Sequence, residues 1–295
     1  MKERTLFVTD LDGTLLNADS KVSENSVSML NEAIDAGALV SVATARTPAT
    51  VCSLLEDIRF RLPLVVMTGA ALWDPRTRRY IDTHFHNPQQ VRRLLDIYRK
   101  HNLPTFIYTL GADHRLHIYH TGPLSDAERV FIDERAHSPF KTFHVPENGI
   151  SELPAELDNV MLLFAMQPAD RAAKAYEDIS SEKDINTVFY HDIFDPSLAF
   201  IEAFPSEATK AKGIARLRSL SGATRTTVFG DNRNDLPMFE VADESIAVGN
   251  AVEEVRRRAD RIIGLNTSDS VAREILSLTH DNDRTPSLPD SRNSD

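Results

Sequence analysis

Phe7-Val8-Thr9-Asp10-Leu11-Asp12-Gly13-Thr14-Leu15-Leu16 is the stretch from which the rest of the chain is read. The apolar run Leu6-Phe7-Val8 has the length and composition of a short buried strand. It stops at two carboxylates two residues apart, and Gly13 then permits a sharp turn that other residues resist. Two like charges so close repel unless a cation lies between them. Three readings compete. The plain one is a strand followed by an Asx-type turn. A calcium loop starting at Asp10 needs Gly at its sixth place and Glu at its twelfth, but Leu15 and Lys21 stand there. The third is a phosphoryl-transfer site with an aspartate nucleophile, which requires matching partners downstream.

The chain has 295 residues, room for one large or two moderate domains, and a 41% hydrophobic fraction that can build an ordinary core. No apolar run approaches a membrane span, and no signal-peptide pattern precedes the first strand. Cys52 is the only cysteine, which excludes an internal disulfide and leads us to expect a reducing, cytoplasmic setting. The net charge of −11, from 33 basic against 44 acidic residues, argues against nucleic-acid or anionic-membrane partners. An anionic substrate therefore needs local positive charge from a metal and a few placed Lys or Arg side chains.

Downstream, short apolar strands alternate with helices. Residues 22–37 read as a helix capped by Ser23, with Val27, Leu30 and Ile34 on one face. A strand at 38–43 ends in Thr44-Ala45-Arg46, a helix runs from 48 to about 59, and a third strand at 63–67 ends in Thr68-Gly69-Ala70. This predicts a parallel sheet with helices on both faces. From about 80 to 200 the texture changes. Helices at 87–101, 123–136 and 168–182, with strands at 105–110, 115–120, 140–145, 159–166, 186–191 and 197–203, predict an inserted α+β module. The first pattern then returns, with a helix at 209–221 and a strand at 226–229 ending in Gly230-Asp231-Asn232-Arg233-Asn234-Asp235. A helix holding Met238 and Phe239 and a strand at 245–248 ending in Gly249-Asn250-Ala251 follow. A helix at 252–259, a strand at 261–263 and a helix at 269–278 complete it, and the polar stretch 281–295 reads as a disordered tail.

Asp10, Asp12, Thr44, Asp231, Asn234, Asp235 and Asn250 all follow core strands, so in an open parallel sheet they converge on one crevice. Singly, Thr44 and Asn250 could be helix N-caps. Together they match what phosphoryl transfer asks for. A carboxylate attacking an anionic phosphorus needs a divalent metal to offset repulsion. Mg²⁺ prefers carboxylates and water, and Asp10, Asp231 and the Asp12 carbonyl suit it. The cation for the transferring oxygens is assigned to Lys212, beside Gly213 at a helix start, with Lys210 the lesser candidate. The Thr44 hydroxyl and the Ala45 N–H suit the remaining oxygen.

Asp10-Leu-Asp12-Gly-Thr14, Thr44-Ala-Arg46, Lys212-Gly213 and Gly230-Asp231-x-x-Asn234-Asp235 resemble, in this order, the four motifs of the haloacid dehalogenase superfamily. The insert resembles the type IIB cap of its Cof-type phosphatases. The resemblance spans about residues 4–278. It implies an α/β fold: a Rossmann-like core of residues 1–80 and 201–280 with an inserted α+β cap at 81–200. It also implies Mg²⁺ dependence, Asp10 as nucleophile, Asp12 as general acid/base, and Asp10, Asp12 and Asp231 at the metal. Thr44, Ala45, Arg46, Lys212 and Asn234 are then phosphate or substrate contacts, with Asp235 and Asn250 behind them. Two places depart from the pattern: Ala45 stands where Gly is usual, and Thr68 where Asn is usual.

Nine of the ten histidines lie between 84 and 191, but His117 and His120 fall on opposite faces of a strand, which argues against a shared metal. His117 or Tyr119 remain candidates to face the crevice. The expected activity is Mg²⁺-dependent hydrolysis of small phosphorylated metabolites, sugar phosphates foremost, by a monomer or homodimer. The rivals are a phosphomutase, which returns the phosphoryl group to the sugar, and a non-catalytic metabolite-binding regulator. The second carboxylate beside Asp10 argues against the regulator, since binding alone does not need it.

Overall fold

The computed structural model describes residues 4–154, 157–192 and 195–284. The chain opens with β1 (Thr5–Thr9), all five residues buried, so it must lie inside a sheet covered on both faces. Next come α1 (Glu24–Asp35), β2 (Leu39–Val42), α2 (Pro48–Leu54) and β3 (Leu64–Val66). The Ser23 hydroxyl accepts from the Ser26 N–H and caps α1. α2 stops at Leu54, short of the expected 59. An unanticipated hairpin follows, β4 (Ala71–Asp74) and β5 (Arg79–Thr83), which with β3 makes a three-stranded sheet.

The middle of the chain holds α3 (Pro88–Lys100), β6 (Phe106–Leu110), β7 (Leu116–His120), α4 (Asp126–Asp133), β8 (Lys141–Phe143), β9 (Val160–Pro168), α5 (Ala169–Ser180), β10 (Ile185–His191) and β11 (Leu198–Pro205). α4 is shorter than the expected 123–136 because the Ser125–Glu128 capping box fixes its start. The last part holds α6 (Lys210–Ser221), β12 (Arg225–Gly230), α7 (Leu236–Val241), β13 (Glu244–Ala247), α8 (Glu253–Arg258), β14 (Arg261–Ile262) and α9 (Ser270–Arg284). α9 takes in residues 281–284 of the expected tail, and 285–295 lie outside the described residues. Among the described residues no helix is long and apolar enough to cross a membrane.

The core sheet is parallel, in the order β14-β13-β12-β1-β2. β3 runs alongside β2 through a parallel bridge from Ala43 to Val65. The two halves of the chain meet at the centre, where Thr5–Thr9 pair with Arg225–Phe229. The carboxyl ends of β1, β2 and β12 therefore lie side by side.

The insert sheet has the order β10-β11-β9-β6-β7-β8, antiparallel except between β7 and β8. Alternation along its strands separates two faces. Ile107, Leu163, Ala165 and Ile201 pack with Val91, Leu94, Ala172 and Ala175 of α3 and α5. Phe106, Tyr108, Leu162, Phe164 and Met166 point the other way and join the core-domain cluster. The helices cover one face, so the opposite face looks onto the core.

Candidate active site

Asp10 follows β1 directly, held by its own N–H donating to the Phe229 carbonyl at 2.9 Å. The chain then turns at Gly13, whose φ of +76° disfavours a side chain. A Cβ there would lie 2.4 Å from Asp231 Oδ2, so glycine also makes room for that carboxylate. Asn250 braces the turn by donating to the Gly13 carbonyl at 2.8 Å. Thr14 donates its hydroxyl to Asp231 Oδ1 at 2.8 Å, which ties the end of β1 to the end of β12.

At the centre is a buried lysine between two acids. Lys210 Nζ lies 2.6 Å from Asp10 Oδ1 and 2.6 Å from Asp235 Oδ1, and all three side chains are buried. The other oxygen of Asp235 accepts from the Asp231 and Asn232 N–H groups at 3.0 and 3.1 Å. Burial opposes the Lys210 charge, but the two carboxylates outweigh it and hold its pKa above the usual lysine value. Burial pushes the Asp10 carboxyl up to about 7, with Lys210 opposing and Asp235 adding. Burial also raises Asp231, to about 6.

Lys210 stands where the sequence reading set Lys212. The Lys212 ammonium is on the surface, 2.7 Å from Glu207 and 3.1 Å from the Ser206 carbonyl. The Thr209 hydroxyl caps α6 and makes Lys210 its first residue. The buried face of α6 is Lys210, Gly213, Ile214 and Leu217. Helical spacing thus carries 210 inward and turns 212 about half a revolution away. That stripe was present in the sequence and was the available signal.

Asp12 extends from the turn towards solvent and meets Arg46. Nε and Nη2 of Arg46 donate to its two carboxylate oxygens at 2.7 and 2.5 Å, a bidentate clamp. The Asp12 hydrogen bond is the largest influence raising the Arg46 pKa. The Asp12 carboxylate is therefore directed to Arg46, and the third acid beside Asp10 and Asp231 is Asp235. Carboxylate oxygens of Asp10, Asp231 and Asp235 lie within 4.8 Å of one another. Asp231 Oδ2 has no donor among the described residues, both Asp235 oxygens have one, and the Asp10 carboxylate takes Lys210 and the Leu11 N–H. A crowded, largely buried set of hard carboxylate oxygens fits a divalent cation such as Mg²⁺.

Thr44 is buried at the end of β2. Its hydroxyl accepts from the Arg46 N–H at 3.1 Å, and its carbonyl accepts from Thr68 N–H at 3.0 Å. Ala45 and Asn234 are exposed, Ala45 beside the clamp and Asn234 on the turn that carries Asp235. Thr68 has φ +58°, a left-handed conformation costly for a β-branched residue and milder for the Asn usual there.

A cavity of about 750 Å³ opens from Asp12, Ala45 and Arg46 to the inner face of the insert. Tyr108, Phe164, Phe200 and Glu202 line it. His117 and Tyr119 do not: they lie on the outer face, where His117 contacts Asp113 and His144. His120 is buried, so the strand does part the two histidines.

A family model described as haloacid dehalogenase-like hydrolase matches residues 7–275. The chain is 28% identical over 272 residues to the 5-amino-6-(5-phospho-D-ribitylamino)uracil phosphatase YitU of Bacillus subtilis, covering 91% of this chain and 95% of that one. It is 24% identical to the pyridoxal phosphate phosphatase YbhA of Escherichia coli, covering 92% and 97%. A solved haloacid dehalogenase-like hydrolase of Bacteroides thetaiotaomicron has the same fold, with a TM-score of 0.72 at 21% identity over 94% of this chain and all of that one.

Proposed function

We propose, from the premise that this chain belongs to the haloacid dehalogenase-like hydrolases, that it is a phosphatase of small phosphorylated metabolites working through an aspartyl-phosphate on Asp10. Relatives of nearly the same length carry phosphatase names, with a phosphoribitylamino-uracil and pyridoxal phosphate as their substrates. Sugar phosphates, expected from the sequence, are one member of the small phosphorylated metabolites proposed here. Residues 81–200 are read as the cap. The observation that carries the reading is Lys210, held 2.6 Å from Asp10 in a cluster with Asp231 and Asp235.

Asp10, Asp231 and the Asp12 carbonyl would hold Mg²⁺, which would offset the repulsion between the two anions brought together. The chain's own residues do the rest. Lys210 opposes the effect of burial on Asp10, favouring its ionised form, and fixes its orientation. An Asp10 oxygen attacks phosphorus as the bond from phosphorus to the alcohol oxygen breaks. Asp12 gives its proton to the departing alkoxide. A water then attacks the phosphoryl-aspartate, Asp12 takes its proton, and Asp10 is released with inorganic phosphate. A phosphate ester competing for Arg46 would loosen the clamp and free the Asp12 carboxyl to face the leaving oxygen. Thr44 and the Ala45 N–H steady a phosphate oxygen.

The test is the mass of the protein after rapid acid quench with p-nitrophenyl phosphate. The added mass of one phosphoryl group is expected in Asp12→Asn, in which removal of the intermediate is slowed by about 10²–10⁴-fold. None is expected in Asp10→Asn. A labelled Asp10→Asn protein overturns the assignment.

A further inference from the structure

The far wall of the 750 Å³ cavity is made of rings. Phe164 and Phe200 stack at 5.8 Å and 11°, and Tyr190 stacks on Phe200 at 5.0 Å and 25°. Phe131 leans on Phe164 at 5.4 Å. Tyr190 is 42% exposed and Phe200 is half-buried, so these two rings keep surface open to the cavity. Leu162, Met166 and Phe204 fill the space between.

Glu134, Arg135, Lys141, Asp192, Asp195 and Glu202 also line the cavity, and two of them lie against the rings, Glu202 at Tyr190 and Lys141 over Tyr108. Glu202 accepts from the Tyr190 hydroxyl at 3.1 Å and forms no ion pair among the described residues. Burial pushes its carboxyl up to about 7. Lys141 is 6% exposed and likewise forms no ion pair there, and burial lowers its ammonium to about 8. Buried charges are normally paired. Glu202 has only the Tyr190 hydroxyl, and the Lys141 ammonium lies 5.9 Å from the Tyr108 ring centroid, so each keeps capacity for a ligand in the cavity they line.

A polyhydroxylated sugar fits this wall poorly. Hydroxyls laid against the stacked rings would find few partners there. A flat ring gains from each stacked or edge-on aromatic contact beyond its buried area. Resting on the phosphatase reading above, we propose that the cavity is a subsite for a planar, hydrogen-bonding aromatic or heteroaromatic ring carried by the alcohol part of the phosphate ester. Tyr190 and Phe200 form the stacking platform. Glu202 takes the ring's donor edge and Lys141 its acceptor edge.

The test uses the full chain with Mg²⁺ and three probes: pyridoxine 5′-phosphate, p-nitrophenyl phosphate and ribose 5-phosphate. The ratio of kcat/KM for pyridoxine 5′-phosphate over ribose 5-phosphate is expected to be about tenfold or more. It should fall about tenfold in Tyr190→Leu and in Phe200→Leu, chiefly through KM. Tyr190 is exposed enough to be changed without disturbing the core, which covers a Phe200 variant that misfolds. In Glu202→Gln and Lys141→Met, the ratio of pyridoxine 5′-phosphate over p-nitrophenyl phosphate should fall several-fold, because the latter lacks a ring N–H or hydroxyl edge. A preference for ribose 5-phosphate, or ratios unmoved in both platform variants, overturns the subsite. Equilibrium binding to Asp10→Asn decides the subsite apart from turnover. Tighter binding of pyridoxine 5′-phosphate than ribose 5-phosphate, lost with Tyr190→Leu, supports it, and equal binding of the two overturns it. A chain that hydrolyses none of the probes fails as a phosphatase, while this binding result still stands.

Discussion

Replacing Lys210 by Met leaves Asp10 and Asp235 facing each other with no cation between them. One carboxyl must then take a proton or swing away, and the nucleophile is lost or misplaced. We expect kcat to fall about 10²–10³-fold, the scale of removing one preorganised electrostatic contact. Lys212→Met breaks only exposed contacts, the ion pair with Glu207 and the bond to the Ser206 carbonyl, so kcat/KM should stay within about threefold. Steady-state kinetics on both variants, with thermal melts to establish that each is folded, makes the comparison. Greater damage in Lys212→Met would return the role to the surface lysine. The sequence carries the order of these acids, because each ends a strand. It also carries the inward face of α6, in the spacing of Lys210, Gly213, Ile214 and Leu217. It does not carry the pairing of Arg46 with Asp12, 34 residues apart, because nothing local says which acid the guanidinium takes.

Two elements are fixed by contacts that single substitutions can disturb. Gly213 lets α6 approach β3, and a Cβ there would lie 2.3 Å from Val65 Cγ1. Gly213→Ala must push the helix out and carry Lys210 with it. Overpacking of this kind costs about 1–3 kcal/mol, read by urea unfolding, and kcat should fall with it. Val65→Ala in the same chain should restore both, and failure to do so would mean that the helix is not held there. The second element is the passage from β5 to α3. His86 there is buried, bonds the Ala203 carbonyl through Nε2 at 3.0 Å, and has no partner on Nδ1 among the described residues. Burial lowers its pKa from 6.5 to about 4, so the folded protein holds it neutral. The unfolded chain binds the proton first. Its contribution is therefore complete above pH 6.5 and is lost as pH falls towards 4, in all roughly 3 kcal/mol. Between pH 7 and 5 the native chain should lose about 2 kcal/mol more stability than His86→Gln, and parallel losses would refute it. Most elements could be read from periodicity and caps. The β4–β5 hairpin could not, because its charged turn, Pro75 to Arg78, resembles a surface loop. The inward face of the insert was also hidden, since alternation marks two faces and only the docking of α3 and α5 decides between them.

At the scale of the whole molecule, three acids from opposite ends of the chain converge on one point. A divalent ion that binds there should stabilise the native state by about 1.4 kcal/mol at ten times its Kd, a rise of roughly 2–4 °C in Tm. Mg²⁺ should produce this shift and EDTA reverse it, with turnover following, and Asp231→Asn should abolish the shift. An unmoved Tm together with full activity in EDTA would remove the metal from the site. The change of composition and periodicity near residues 80 and 200 matches the change from one sheet to another, with β6 to β11 in a sheet of their own. The cavity between core and insert could not be read, since its two walls come from surfaces with no sequence relation. The central pairing of β1 with β12 has a consequence for biosynthesis. Thr5 pairs with Arg225, so the first strand made lies beside one made 220 residues later. At about 5–20 residues per second, the nascent chain carries the β12 side of β1 bare for on the order of ten to forty seconds. The insert, already complete by then, can fold during that wait. Any ribosome that stalls before Arg225 leaves a hydrophobic strand with an open edge, the kind of edge that recruits neighbouring nascent chains.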